Sequence, residues 1–145
     1  MVADISSDGK KILFGDEGEN SGLSYQVGLR PVDGSPPVML GPGSAQALSP
    51  DGNWALSIIP PPNDQIVLLP TGAGTPRTLE RGPIDHYQVA RAAWFPDGKQ
   101  IAFVGTEPGH GARAMSRGWT AAIPKPSPLR ASLSVLFLRM ERFWP

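Results

Sequence analysis

One short phrase occurs three times along the chain. Ser6-Ser7-Asp8-Gly9-Lys10, Ser49-Pro50-Asp51-Gly52-Asn53 and Phe95-Pro96-Asp97-Gly98-Lys99 each lead directly into an apolar run: Ile12-Leu13-Phe14, Trp54-Ala55-Leu56 and Ile101-Ala102-Phe103. The copies stand about 45 residues apart, the period of propeller blades with about four strands each and not that of a solenoid of short coils. A repeat of this kind fixes an architecture and points to no chemistry. The 145 residues hold about three such units, whereas a closed ring needs four or more. The expectation is an all-β chain, a partial β-propeller of antiparallel four-stranded blades.

The middle unit is the clearest. Residues 45–48 read as a short strand, and Pro50-Asp51-Gly52-Asn53 as a tight turn: proline sets one φ, the aspartate can bond the backbone two residues on, and glycine accepts a positive φ. Residues 54–59 form the second strand, Pro60-Pro61-Pro62-Asn63-Asp64 breaks it, and 65–69 form the third. Thr71-Gly72-Ala73-Gly74-Thr75 turns the chain into 76–79, an outer strand where Pro76 is tolerated because an edge can lack a donor. In the first unit the strands fall at 3–6, 11–14, 23–30 and 37–40, with Asp33-Gly34-Ser35-Pro36 as the turn before the last. Gly and Pro number 17 each; they punctuate strands rather than mark low complexity.

The third unit starts with strands at 88–95 and 100–104 and a glycine-rich loop at 105–111. After Arg113 the pattern lapses, so 1–113 reads as two blades and the start of a third, and 114–145 as an atypical tail. That tail has two readings. Ser127-Pro128 resembles a helix cap followed by proline, and Leu133, Leu136, Phe137, Met140 and Trp144 fall on one helical face, giving an irregular or short helical end. Alternatively, a shifted reading frame forces glycine at Met140-Glu141, leucine at Phe143-Trp144 and aspartate at Trp119-Thr120, and lets Phe137 through Pro145 spell Ser-Pro-Asp-Gly-Lys-Val-Leu-Ala. A fourth repeat signature then appears about one period after Asp97, and the tail is a frameshift product.

Thirteen Lys and Arg balance thirteen Asp and Glu, which leaves no field to draw in nucleic acid or an anionic membrane surface. There is no cysteine, hence no disulfide framework. Met1-Val2-Ala3-Asp4 has no signal-peptide character, and no apolar run approaches a membrane span. As written the chain reads as cytoplasmic by default, with an extracytoplasmic parent protein left open.

Motifs that could carry chemistry are better explained otherwise. Asp8, Asp51 and Asp97 belong to turns in separate blades rather than to one carboxylate set. Asp16-Glu17-Gly18-Glu19-Asn20 lacks the alternating ligands and glycine of a calcium loop. Gly109-His110-Gly111-Ala112-Arg113-Ala114 matches a dinucleotide fingerprint with no helix after it and no acidic residue about twenty positions on. Ala114-Met115-Ser116-Arg117-Gly118 mimics a nucleophile elbow, but no histidine follows. His86 and His110 show no zinc spacing. No catalytic, cofactor-binding or metal-binding residue is expected. Trp54 and Trp94 sit beside the turns, where packing between blades is the ordinary role; Tyr87, Trp94 and His110 are the candidates for a peptide-binding surface.

The three signatures, with the strands that follow them, resemble the Pro-Asp variant of the Trp-Asp repeat found in TolB-like propellers. Ser7 in place of proline and Phe95 in place of serine depart from it mildly. The resemblance implies a non-enzymatic module that binds proteins or peptides through loops at its faces, cut from a larger bacterial protein and prone to self-association when alone. The segments 71–77 and 107–111 resemble most the propellers behind bacterial serine/threonine kinases. The alternative is the sensor or gating propeller of a multidomain enzyme, such a kinase or a prolyl-oligopeptidase-type hydrolase, whose catalytic domain lies elsewhere.

Overall fold

The computed structural model describes residues 1–16, 25–119 and 127–128. These residues form three four-stranded antiparallel sheets, each a blade. Blade one comprises β1 (Val2–Ile5), β2 (Lys11–Asp16), β3 (Gln26–Pro31) and β4 (Val38–Pro42). Blade two comprises β5 (Ser44–Leu48), β6 (Trp54–Ile59), β7 (Gln65–Pro70) and β8 (Arg77–Thr78); blade three comprises β9 (His86–Trp94), β10 (Gln100–Thr106), β11 (Arg113–Gly118) and β12 (Ser127–Pro128). Within each blade the strands lie in chain order, each hydrogen-bonded to the next. Among the described residues no helix is long and apolar enough to cross a membrane.

The repeated phrase builds the same turn each time. Gly9, Gly52 and Gly98 take φ of 70°, 73° and 67°, a conformation that costs glycine nothing. Their amides donate to the carbonyls of Ser6, Ser49 and Phe95 at 2.8, 2.8 and 2.9 Å. One oxygen of Asp8, Asp51 and Asp97 accepts from the amide two residues on, at Lys10, Asn53 and Lys99 (3.0, 3.0 and 2.9 Å). In the first two copies a serine adds to this: the Ser6 and Ser49 hydroxyls donate to Asp8 and Asp51 at 2.6 and 2.5 Å and accept from the amides of Lys11 and Trp54. The serine bond, joined by the backbone amide, holds the Asp8 and Asp51 carboxyls below the ordinary aspartate value.

Strand alternation then distributes the core, because successive residues point to opposite faces of a sheet. In blade two both faces are buried. Ala55, Val67 and Leu69 pack with Leu13, Val27 and Leu29 of blade one, while Leu56, Ile58, Ile66 and Leu68 pack with Tyr87, Trp94, Ile101, Phe103 and Met115 of blade three. Among the described residues blade one is covered on one side only: Leu13 is fully buried, whereas Ile12 and Phe14, facing the other way, are half-buried. The Phe14 ring lies over Gly28, where any Cβ would collide with it.

The structure extends the third blade beyond the expected boundary at Arg113. β11 pairs with β10 along its whole length, from Gly105↔Arg113 to Gln100↔Gly118, and its Met115 is buried in the second core. Backbone pairing does not require the apolar alternation that the segment lacks. Ser127 and Pro128, read from sequence as a cap and first helical residue, instead pair with β11 at Ser116 and Met115 as a two-residue outer strand. The helical face at 133–144, the shifted-frame signature at 137–145 and the acidic loop at 17–20 lie outside the described residues.

Candidate functional site at the turn end of blade two

The end of the blades that carries the Asp-Gly turns also carries the β7–β8 loop. Thr71 ties the two together: its hydroxyl donates to the Gly52 carbonyl at 2.7 Å and its amide to the Asn53 carbonyl at 3.0 Å. Beyond it, residues 72–75 leave a cleft of about 470 Å³ lined by this loop with Asn53, Trp54, Pro70 and Arg77. The small side chains of Gly72, Ala73 and Gly74 keep it open; a Cβ at Gly72 would meet nothing within 4 Å.

The cleft's one aromatic lining residue is Trp54, and further rings back it. The Trp119 indole stands between Trp54 and Trp94, at ring separations of 5.6 and 5.8 Å, and its Nε1 donates to the Gly98 carbonyl at 2.8 Å. Arg77 projects from β8 so that its guanidinium lies 5.1 Å from the Trp54 ring centre and 5.4 Å from that of Trp119. Both separations are within the range in which a cation is attracted to an aromatic face. Residues of three blade segments therefore meet here: the turn and second strand of blade two, its outer strand, and the residue after β11.

At the opposite end Asp64 organises a different cluster. It adopts φ 43°, is buried, and accepts from the Tyr87 amide at 3.2 Å while pairing with His86 Nδ1 at 2.7 Å. Arg81 folds back on the carbonyls of Ile84 and Asp85, both at 2.6 Å, and Arg117 donates to the Glu80 carbonyl. Burial pushes the Tyr87 phenol above its ordinary value, with the Arg117 guanidinium opposing it. These bonds brace the crossing from blade two to blade three.

The three residues put forward for a binding surface do not come together as one. Tyr87 is 0 % exposed and Trp94 2 % exposed; Tyr87 packs edge-on to Phe103 at 5.3 Å, and both are core residues, so a surface role for them does not fit. His110 is exposed, its amide closing a turn onto the Glu107 carbonyl at 2.9 Å. Trp94 does touch the rings that back the cleft, but from behind, through Trp119. Arg77 and Trp119 were missed. Arg77 occupies an edge position in sequence and Trp119 the irregular tail, and only strand pairing brings them together.

No family model matches the chain, and no curated protein matches it either. Solved structures do. TolB from Acinetobacter baumannii superposes with a TM-score of 0.70 at 19 % identity, over 86 % of this chain and 31 % of that one. The putative TolB from Agrobacterium tumefaciens gives 0.68 at 14 %, over 86 % of this chain and 47 % of that one. The chain spans between about a third and about half of the structures it matches. Sequence repeat, blade topology and superposition agree: in fold the chain is a partial β-propeller of the TolB-like kind.

Proposed function

We propose that the chain is a non-enzymatic protein- or peptide-binding propeller module. The observation that carries this reading is the cleft at the turn end of blade two, where loops supported by strands buried on both faces surround the Trp54 indole and the exposed Arg77. Rigid strands presenting loops are the usual way a scaffold positions binding groups, and aromatic and arginine side chains are those that anchor protein partners. Selection of a displayed random-peptide library on the immobilised full chain, followed by calorimetry on the selected peptides, tests it. Convergent peptides binding at micromolar strength are expected. Failure to enrich any family, or steady turnover of nucleotide, ester or peptide substrates by repurified chain, overturns it.

A second, compatible reading, prompted by the likeness of segments 71–77 and 107–111 to propellers behind bacterial serine/threonine kinases, is that this propeller serves a larger bacterial protein as sensor or gate. Coding sequence on either side decides between a kinase catalytic loop and a Gly-x-Ser-x-Gly hydrolase.

A further inference from the structure

We infer that Arg77 forms a carboxylate-recognition site, so that the ligand class of the cleft is an acidic peptide presenting a side-chain or C-terminal carboxylate; this rests on the peptide-binding reading above. Three other arginines set the contrast. Arg81 and Arg117 donate to backbone carbonyls, and Arg113 pairs with Glu107. Arg77 has neither a carboxylate nor a carbonyl partner among the described residues; its contacts are the two indoles.

A guanidinium is a flat fork with five N–H donors, all in its plane and none perpendicular to it. Indoles near its charge hold it by cation–π attraction while leaving the in-plane donors unspent. The arrangement restricts a side chain that would otherwise lose much rotamer freedom on binding, which lowers the entropic cost of engaging a ligand. A carboxylate matches the fork with two parallel hydrogen bonds. The small residues of the 72–75 loop leave the room such a group requires. Trp54, which lines the cleft and is backed by Trp119, would contact the ligand's apolar part.

The site reports on itself, because a ligand at Arg77 perturbs the fluorescence of the adjacent indoles. A short peptide ending in Glu with a free C-terminus, the same peptide amidated, and one with Gln for Glu are titrated into the full chain and into R77Q and R77K. Arg77 is exposed, so these variants keep the fold, which circular dichroism checks. The expected result is saturable quenching by the acidic peptide, binding about tenfold weaker when the recognised carboxylate is removed, and loss of that difference in R77Q, with R77K intermediate. The amidated and Gln peptides identify whether the terminus or the side chain is read. If all three peptides bind equally and R77Q changes nothing, the carboxylate inference fails while peptide binding stands. If no peptide binds, the carboxylate inference fails, and the library selection judges the peptide-binding reading separately.

Discussion

The carboxylate of Asp4, on the first strand of blade one, accepts a hydrogen bond from the backbone amide of Leu48, on the first strand of blade two, at 2.8 Å. Its other oxygen accepts from the amide of Ile5 at 2.9 Å. The group is buried, and at the equivalent positions of the next two units, counted from the Asp-Gly turns, the chain has Ala47 and Ala93. A charge-assisted bond thus pins neighbouring blades at their inner strands. Replacing Asp4 by Ala leaves the Leu48 amide without this acceptor, and a loss of about 1–3 kcal/mol is expected, read from the urea midpoint at unchanged slope.

Burial assigns Trp94 and Tyr87 to the core between blades two and three. Trp94→Ala should therefore destabilise by about 3–5 kcal/mol, with peptide binding by the folded fraction retained. Arg77→Gln should do the reverse, sparing stability and altering binding. Chemical denaturation beside fluorescence titration of both variants separates the roles.

Acid should act on the turns. The Asp51 carboxyl is held low chiefly by the Ser49 hydroxyl, so it is more acidic folded than unfolded. Its contribution to stability is complete above the ordinary aspartate value of about 4 and is lost as pH falls through the lower folded value. Ser49→Ala should raise the Asp51 titration midpoint toward the ordinary value, visible by NMR, and flatten that part of the acid limb. An unmoved midpoint contradicts the assignment.

A chain ending after Trp119 should keep three blades, the β12 pairing being what it loses among the described residues. One ending after Arg113 loses β11, Met115 and the indole between Trp54 and Trp94, and its third blade should melt early. Thermal scans by circular dichroism compare them. The shifted-frame proposal for residues beyond Trp119 is checked in the coding DNA: codons for Phe137 through Pro145 that cannot spell Ser-Pro-Asp-Gly in that frame dismiss it.

Val2, Phe14, Gly28 and Met39 are successive register partners across blade one and share its uncovered side. Val2 is 61 % and Met39 49 % exposed. Apolar surface in this arrangement favours association, so concentration-dependent oligomers are expected in light scattering. Val2→Lys with Met39→Lys should reduce them. A monodisperse monomer at high concentration sinks the proposal.

The blades were legible because the turns that open them are written in residues with strict backbone roles: Asp8, Gly9, Asp51, Gly52, Asp97 and Gly98 all do what their chemistry demands. Strand β11 was not legible, since Arg113, Ser116, Arg117 and Gly118 carry no alternating apolar signal and the strand is held by its neighbour's backbone. Prolines at 60–62 and 76 marked the strand ends of blade two for the same reason as the glycines, by forbidding continuation. The site was least visible. Trp54, Arg77 and Trp119 come from three separate segments, and nothing local to any of them says which residue it will meet. Trp94 shares its face with the buried Ala92, and the register shift in the β9–β10 pairing, which no local residue announces, sets Tyr87 opposite Gly105 on that same inward side.

At one position the third turn differs from both of the first two. Phe95 stands where Ser6 and Ser49 supply a hydroxyl that bonds both the turn aspartate and the first amide of the next strand. The Gln100 hairpin therefore begins with two fewer hydrogen bonds, and Trp119, donating to Gly98, clamps it from outside instead. Local opening follows the weakest such clasp. In hydrogen-exchange labelling the amides flanking Asp97 should exchange ahead of those flanking Asp8 and Asp51, so the propeller would unzip from blade three inward, starting at the hairpin that anchors Trp119.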